Sequence, residues 1–195
     1  MFLALWIFFV LYPNPLNLVI SIHRVFNFDV DSSAIEANLE DFPSDPIAIE
    51  RAVLERIPYR YDWEVYDMPW YFPTLEEILE KKEGDCKARA LVLASILEAE
   101  NIPYRVNVSP IHIWVEYEGK EETSIENTRV KFYQEDPESG KKLFQIPEIN
   151  LREMMNSIWQ GLWVSMPAVR KAVLLSGLLI LVGLRVVLFK NRATI

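Results

Sequence analysis

A single cysteine, Cys86, and only two histidines, His23 and His112, stand in the 195 residues of this chain. One cysteine excludes any disulfide within the chain and leaves the redox compartment open. Two histidines are too few for ordinary zinc chemistry, which takes three or four nitrogen, sulfur or carboxylate ligands, so neither a metal nor any other cofactor is expected. Charge is missing too: Met1 to Ile22 carries none, and Ala172 to Phe189 carries only Arg185. All 28 acidic residues lie between Asp29 and Glu153, together with 14 of the 20 lysines and arginines. So large an acidic excess repels phosphate and excludes nucleic acid as a partner.

The two uncharged ends point to a lipid bilayer as a partner. Read as helix, Ala172 to Phe189 would reach roughly 27 Å, about one hydrocarbon thickness. Residues 167–195 are therefore expected to hold a C-terminal transmembrane helix and a basic tail. At the other end Pro13 and Pro15 interrupt the apolar run, so residues 1–26 read as a kinked anchor rather than a cleaved signal, which would want a basic start and a small-residue cleavage site. Arg24, Arg170, Lys171, Arg185, Lys190 and Arg192 flank or sit inside these ends, as cationic side chains of membrane proteins do. If both ends span, the termini share one side and the acidic domain takes the other. Lys190 and Arg192 in the short tail lean the domain towards the extracytoplasmic side, where the Asn107-Val108-Ser109 sequon would be relevant.

Between the anchors, residues 27–146 have the length of one compact domain. Ile49, Val53 and Ile57 form one stripe of a helix that Pro46 opens and Pro58 stops. Tyr59 to Phe72 is crowded with aromatic side chains and reads as an irregular wall. Thr74 and Glu77 are spaced as a capping box for a short helix that ends at Gly84. Asp85 then caps a long helix from Cys86 to about Glu100, apolar over so much of its circumference that it is expected to be buried. After Ile102-Pro103 the pattern turns to strands at Tyr104–Ser109, Ile111–Tyr117, Thr123–Asn127 and Val130–Gln134. A helix followed by an antiparallel sheet predicts an α+β fold. A last helix over 147–166, with Leu151, Met155, Ile158, Leu162 and Met166 on one stripe, is amphipathic and would either lie on a bilayer or dock on the domain.

Two residues carry the chemistry. Cys86 falls in the first turn of its helix, where free backbone N–H groups and the helix dipole favour the thiolate, the nucleophilic form. A lone cysteine is also a common buried hydrophobe. His112 shares a strand face with Trp114 and Glu116, opposite Ile111, Ile113 and Val115, and could present its ring to a helix end packed on the sheet. Taken alone it could equally be structural.

Gly84-Asp85-Cys86, the alanine- and leucine-rich helix behind it, Ile102-Pro103-Tyr104-Arg105-Val106 and His112-Ile113-Trp114-Val115-Glu116 resemble the successive blocks of the transglutaminase-like superfamily of papain-type thiol enzymes. The resemblance covers roughly residues 46 to 134, with Asn101 where that pattern usually has glycine. It implies a papain-like core, a Cys86 nucleophile and a His112 base. The histidine's orienting carboxylate, usually in a hydrophobic-Asp-Pro-Thr run, would be Glu126 of Ile125-Glu126-Asn127-Thr128, or else Asn127 would orient the ring as an amide. The implied reaction is acyl transfer through a thioester on a protein or peptide substrate, resolved by water or by an amine, with a backbone N–H at Cys86 holding part of the oxyanion. The competing expectation is a silent member that keeps the fold as a peptide-binding or membrane-assembly module.

Overall fold

The computed structural model of the chain describes residues 2–38, 42–136 and 138–192, without the side chains of residues 36–38 and 186–192, so the tail cations Lys190 and Arg192 lie outside the described side chains. Helices α1 (Phe2–Leu11), α2 (Pro15–Val25), α3 (Ser32–Asn38), α4 (Pro46–Arg56), α5 (Asp62–Tyr66), α6 (Leu75–Lys81) and α7 (Cys86–Ala99) come first. Strands β1 (Tyr104–Val108), β2 (Ile113–Tyr117), β3 (Tyr133–Asp136) and β4 (Lys141–Phe144) follow, then α8 (Leu151–Ile158), a π-helical stretch Trp159–Val164 and α9 (Ala168–Arg192). The fold is α+β, with one antiparallel sheet of order β2-β1-β3-β4.

Local chemistry starts α4, α6 and α7 where the sequence predicts, but α6 stops at Lys81, with Lys82 left-handed at φ +56°, short of the expected end at Gly84. Asp45 accepts from the Ala48 N–H at 2.9 Å with Pro46 in the first turn, and Thr74 and Glu77 close their capping box at 3.2 and 2.7 Å. Helix α7 ends in a Schellman motif: Ile102 N–H donates to Leu97 O at 2.8 Å and Asn101 N–H to Glu98 O at 3.1 Å. Asn101 has φ +55°, and asparagine is the residue besides glycine that most readily takes that left-handed position.

Helix α7 is the centre of the core. Ala88, Leu91, Val92, Ile96 and Leu97 are buried against Ile49 and Val53 of α4, Ile78 of α6, and Val106, Ile113 and Val115 of the sheet. Val106 stands opposite Val115, and Asn107 opposite Trp114. Asn107 is fully buried and donates to Glu116 Oε2 at 2.9 Å, so the sequon is closed to a glycosyl group in the folded chain.

Other predicted elements differ. Thr123–Asn127 is no strand: the Glu126 N–H donates to Thr123 Oγ1 at 3.1 Å, and Asn127 Nδ2 donates to the carbonyls of Thr123 and Ser124 at 2.9 and 3.1 Å. Side chains that bond their own backbone in this way compete with ladder formation. Val130–Gln134 is displaced to β3, which pairs with β4, an exposed strand that has no alternation for the sequence to reveal. The aromatic segment holds the short helix α5. The helix expected from Pro147 begins instead at Leu151, where Asn150 caps it, and widens to π geometry at Trp159.

At the ends, α1 and α9 pair antiparallel. Trp6 lies against Leu174 and Gly177, and Arg170 donates to Val10 O at 3.1 Å. Among the described residues no single helix is long and apolar enough to cross a membrane; α1 with α2, bent by 69°, and α8 through the π stretch with α9, bent by 94°, are so as pairs. Helix α2 also belongs to the domain's packing. Ser21 accepts from the Phe72 N–H at 3.0 Å, and Arg24 donates to Phe72 O at 2.7 Å and to Tyr71, so this cation is engaged by protein rather than free at a lipid edge.

Candidate functional site

The site begins with the turn that feeds α7. Arg60 N–H donates to Gly84 O at 3.0 Å and Gly84 N–H to Pro58 O at 3.2 Å, which stitches the aromatic segment to the helix start. A Cβ on Gly84 would meet the Cβ of Ala88 at 2.4 Å, so only glycine lets the chain turn this tightly over the helix. Asp85 caps the helix by accepting from the Lys87 N–H at 3.0 Å. Cys86 follows, partly exposed, with first-turn N–H groups beside it. Tyr59 flanks it: burial, and then the neighbouring Cys86, raise the phenol and keep it protonated.

His112 stands one residue ahead of β2, in a turn that Ser109 organises. The Ser109 N–H donates to His112 O at 2.8 Å and the His112 N–H to Ser109 Oγ at 3.0 Å. Trp114 stacks on the imidazole with planes 11° apart. Cys86 is near enough to raise the pKa of the ring, and Nε2 lies 2.6 Å from Glu126 Oε1. Since Nε2 is taken by the carboxylate, Nδ1 is the nitrogen left for the thiol. Burial works to lower the His112 pKa, but the hydrogen bonds to Cys86 and Glu126 outweigh it and raise the ring from 6.5 to about 9.

The structure thus brings together Cys86, His112 and Glu126, and leaves out Asn127, whose amide is spent on the loop carbonyls. Burial raises the Glu126 carboxyl, yet the bond to His112 and the charge of Lys120 prevail and hold it below the ordinary carboxylate range. Behind Glu126 the chain of contacts continues: Lys120 Nζ lies 3.1 Å from Glu126 Oε2 and 2.7 Å from Glu50 Oε1, and Glu50 accepts from the Tyr117 hydroxyl.

A second polar cluster lies under the same helix end. Lys87, only 3% exposed, donates to Asp62 Oδ2 at 2.8 Å and to Asp85, and Asp62 also accepts from the Tyr71 N–H at 2.8 Å. Burial works against its charge, but Asp85 and Asp62 outweigh it and hold Lys87 above its ordinary value. This trio pins α5 and the aromatic segment to the first turn of α7. Lys87 had a signal in the sequence, being a charge inside a helix apolar all round, which requires partners when buried. Lys120 and Glu50 had none, since their meeting depends on how the 117–126 segment folds back towards α4.

A cavity of about 670 Å³ opens behind the 109–111 turn, walled by Ile111, Ile125, Asn127, Glu153 and Met154, and its lining includes none of Cys86, His112 and Glu126. Neither a family model nor a curated protein matches this sequence, so the functional reading rests on the geometry of the site itself.

Proposed function

We propose that this chain is a membrane-tethered thiol enzyme of transglutaminase-like, papain-like design that transfers or hydrolyses acyl groups from peptide or glutamine amides. The observation that carries the reading is the imidazole of His112, 2.6 Å from the Glu126 carboxylate and near enough to the thiol at the start of α7 for that group to raise its pKa. His112 takes the proton of Cys86, and the sulfur attacks the amide carbonyl carbon. The C–N bond breaks as His112 returns the proton to the leaving amine, and water or a second amine cleaves the thioester. First-turn N–H groups of α7 face the developing oxyanion. Tethering is supported by the two apolar bent pairs, by exposed Phe2, Phe9, Val169 and Leu179 on the paired terminal helices, and by the stripe Leu151, Met155 and Ile158 that α8 turns outward.

The test is mass-spectrometric trapping of an acyl group on Cys86 with a panel of amide substrates, set beside iodoacetamide alkylation. His112→Ala is expected to abolish the adduct and to slow alkylation at pH 7 by roughly a hundredfold. The second reading, a silent peptide-binding module, is favoured by the cavity that lies away from the three residues. Its signature is a Cys86 that alkylates equally fast in wild type and in His112→Ala.

A further inference from the structure

We propose that Lys120 is a positioning residue: gripped from behind by Glu50, it fixes the Glu126 carboxylate against Nε2 of His112. The inference rests on the triad reading above and extends it by one link. Lys120 leaves β2 through a tight turn in which its N–H donates to Tyr117 O at 3.2 Å and Gly119 sits at φ +87°, a value glycine adopts without strain. That turn sends the side chain back beneath the loop, where it is only 10% exposed. Its ammonium bridges two carboxylates on different elements, Glu126 at 3.1 Å and Glu50 of α4 at 2.7 Å, and lies over the Tyr117 ring. Tyr117 donates to the other oxygen of Glu50, so the gripping carboxylate is itself fixed.

The need for such a device follows from the side chain at position 126. Glutamate has one more rotor than aspartate, and its loop forms no strand that would hold it. Freezing a long polar side chain costs on the order of 1 kcal/mol, and nothing on His112 alone prevents the carboxylate from swinging to water. Two cationic or donor partners, one on each oxygen, define a single orientation. The titratable groups that meet here are Cys86 from α7, His112 ahead of β2, Tyr117 of β2, Lys120 after it, Glu126 in the loop and Glu50 from α4.

The sign of a pKa change separates positioning from mere proximity. The full chain in lipid nanodiscs carries two histidines, so His112 can be followed by imidazole NMR with His23→Gln for assignment. In Lys120→Met, loss of the carboxylate's orientation moves the His112 midpoint from about 9 down towards 6.5, and iodoacetamide alkylation at pH 7 slows roughly tenfold. Lys120→Arg restores both, and Glu50→Gln, which keeps the fold of the loop, shifts the midpoint in the same direction by less. In a Glu126→Gln background Lys120→Met has no further effect. A midpoint that rises or stays put would overturn the proposal, because removing a bystander cation strengthens the pull of Glu126 on the imidazolium. So would a further drop in the Glu126→Gln background. If wild-type Cys86 alkylates as an ordinary thiol, the enzymatic reading fails on its own, while the His112 midpoint still reports whether Lys120 holds Glu126.

Discussion

A raised imidazole ties the site to stability as well as to chemistry. His112 binds its proton more tightly in the folded chain than at its ordinary 6.5, with a folded value of about 9. Its stabilising contribution is therefore complete below 6.5 and is lost as pH rises through about 9. Thermal unfolding of wild type and His112→Gln should differ most near pH 6 and converge by pH ~10; a gap that stays constant over that range would mean the ring is not held as a cation. The place of Cys86 was legible as a capped helix start, and that of His112 only nearly so, since the pattern put it inside a strand from Ile111 and the structure starts that strand at Ile113. The choice between Glu126 and Asn127 was not legible. Both fall in one loop, and the choice is made by which side chain turns back on its own carbonyls, here Asn127. Lys120 is a single lysine in an acidic turn and acquires meaning only when Glu50 is brought to it from α4.

At the scale of elements, helices were readable where caps and apolar stripes agree, as in α4, α6 and α7. Strands were readable where one face meets the core, as in β1 and β2, and not where all four residues face water, as in β4. The connection with most consequence for the site is the approach to α7. Gly84 leaves no room for a methyl group beside Ala88 and is bonded to both Pro58 and Arg60, so Gly84→Ala must push the aromatic segment away from the helix start. The expected cost is about 1–3 kcal/mol of unfolding free energy, typical of overpacking, together with slower alkylation of Cys86. Adding Ala88→Gly removes the clash and leaves only about 1 kcal/mol for a glycine inside a helix. Urea titrations of the single and double variants check this, and a double variant less stable than Gly84→Ala would refute the steric account.

Across the described residues, the central domain and the two ends are joined by a small set of directional contacts. Trp63 donates from its indole to Leu162 O at 3.1 Å, Tyr12 donates to Trp70 O at 3.2 Å, and Arg170 bonds both Val10 O and Asp67. The aromatic segment, which from sequence read as a wall, is thus the common support of the Cys86 helix on one side and of both terminal helices on the other. The sequence carried the apolarity of the ends but not their antiparallel pairing, which depends on a flat surface at Gly177. An ideal Cβ there would lie 2.1 Å from the Trp6 indole, so the ring occupies the space that any other residue would need. Close approach of helices over small residues is a recurrent device in lipid, where apolar burial gives no drive to pair. Gly177→Leu should therefore separate α1 from α9. Spin labels on α1 and α9, in a Cys86→Ser background reconstituted into vesicles, should give a short, narrow distance distribution that lengthens and broadens in Gly177→Leu. On the tethering proposed above, the variant should still float with the vesicles, because each bent pair keeps its own apolar surface. An unchanged distance would show that the Trp6 contact does not hold the pair, and loss of flotation would show that membrane binding needs the assembled hairpin rather than its separate arms.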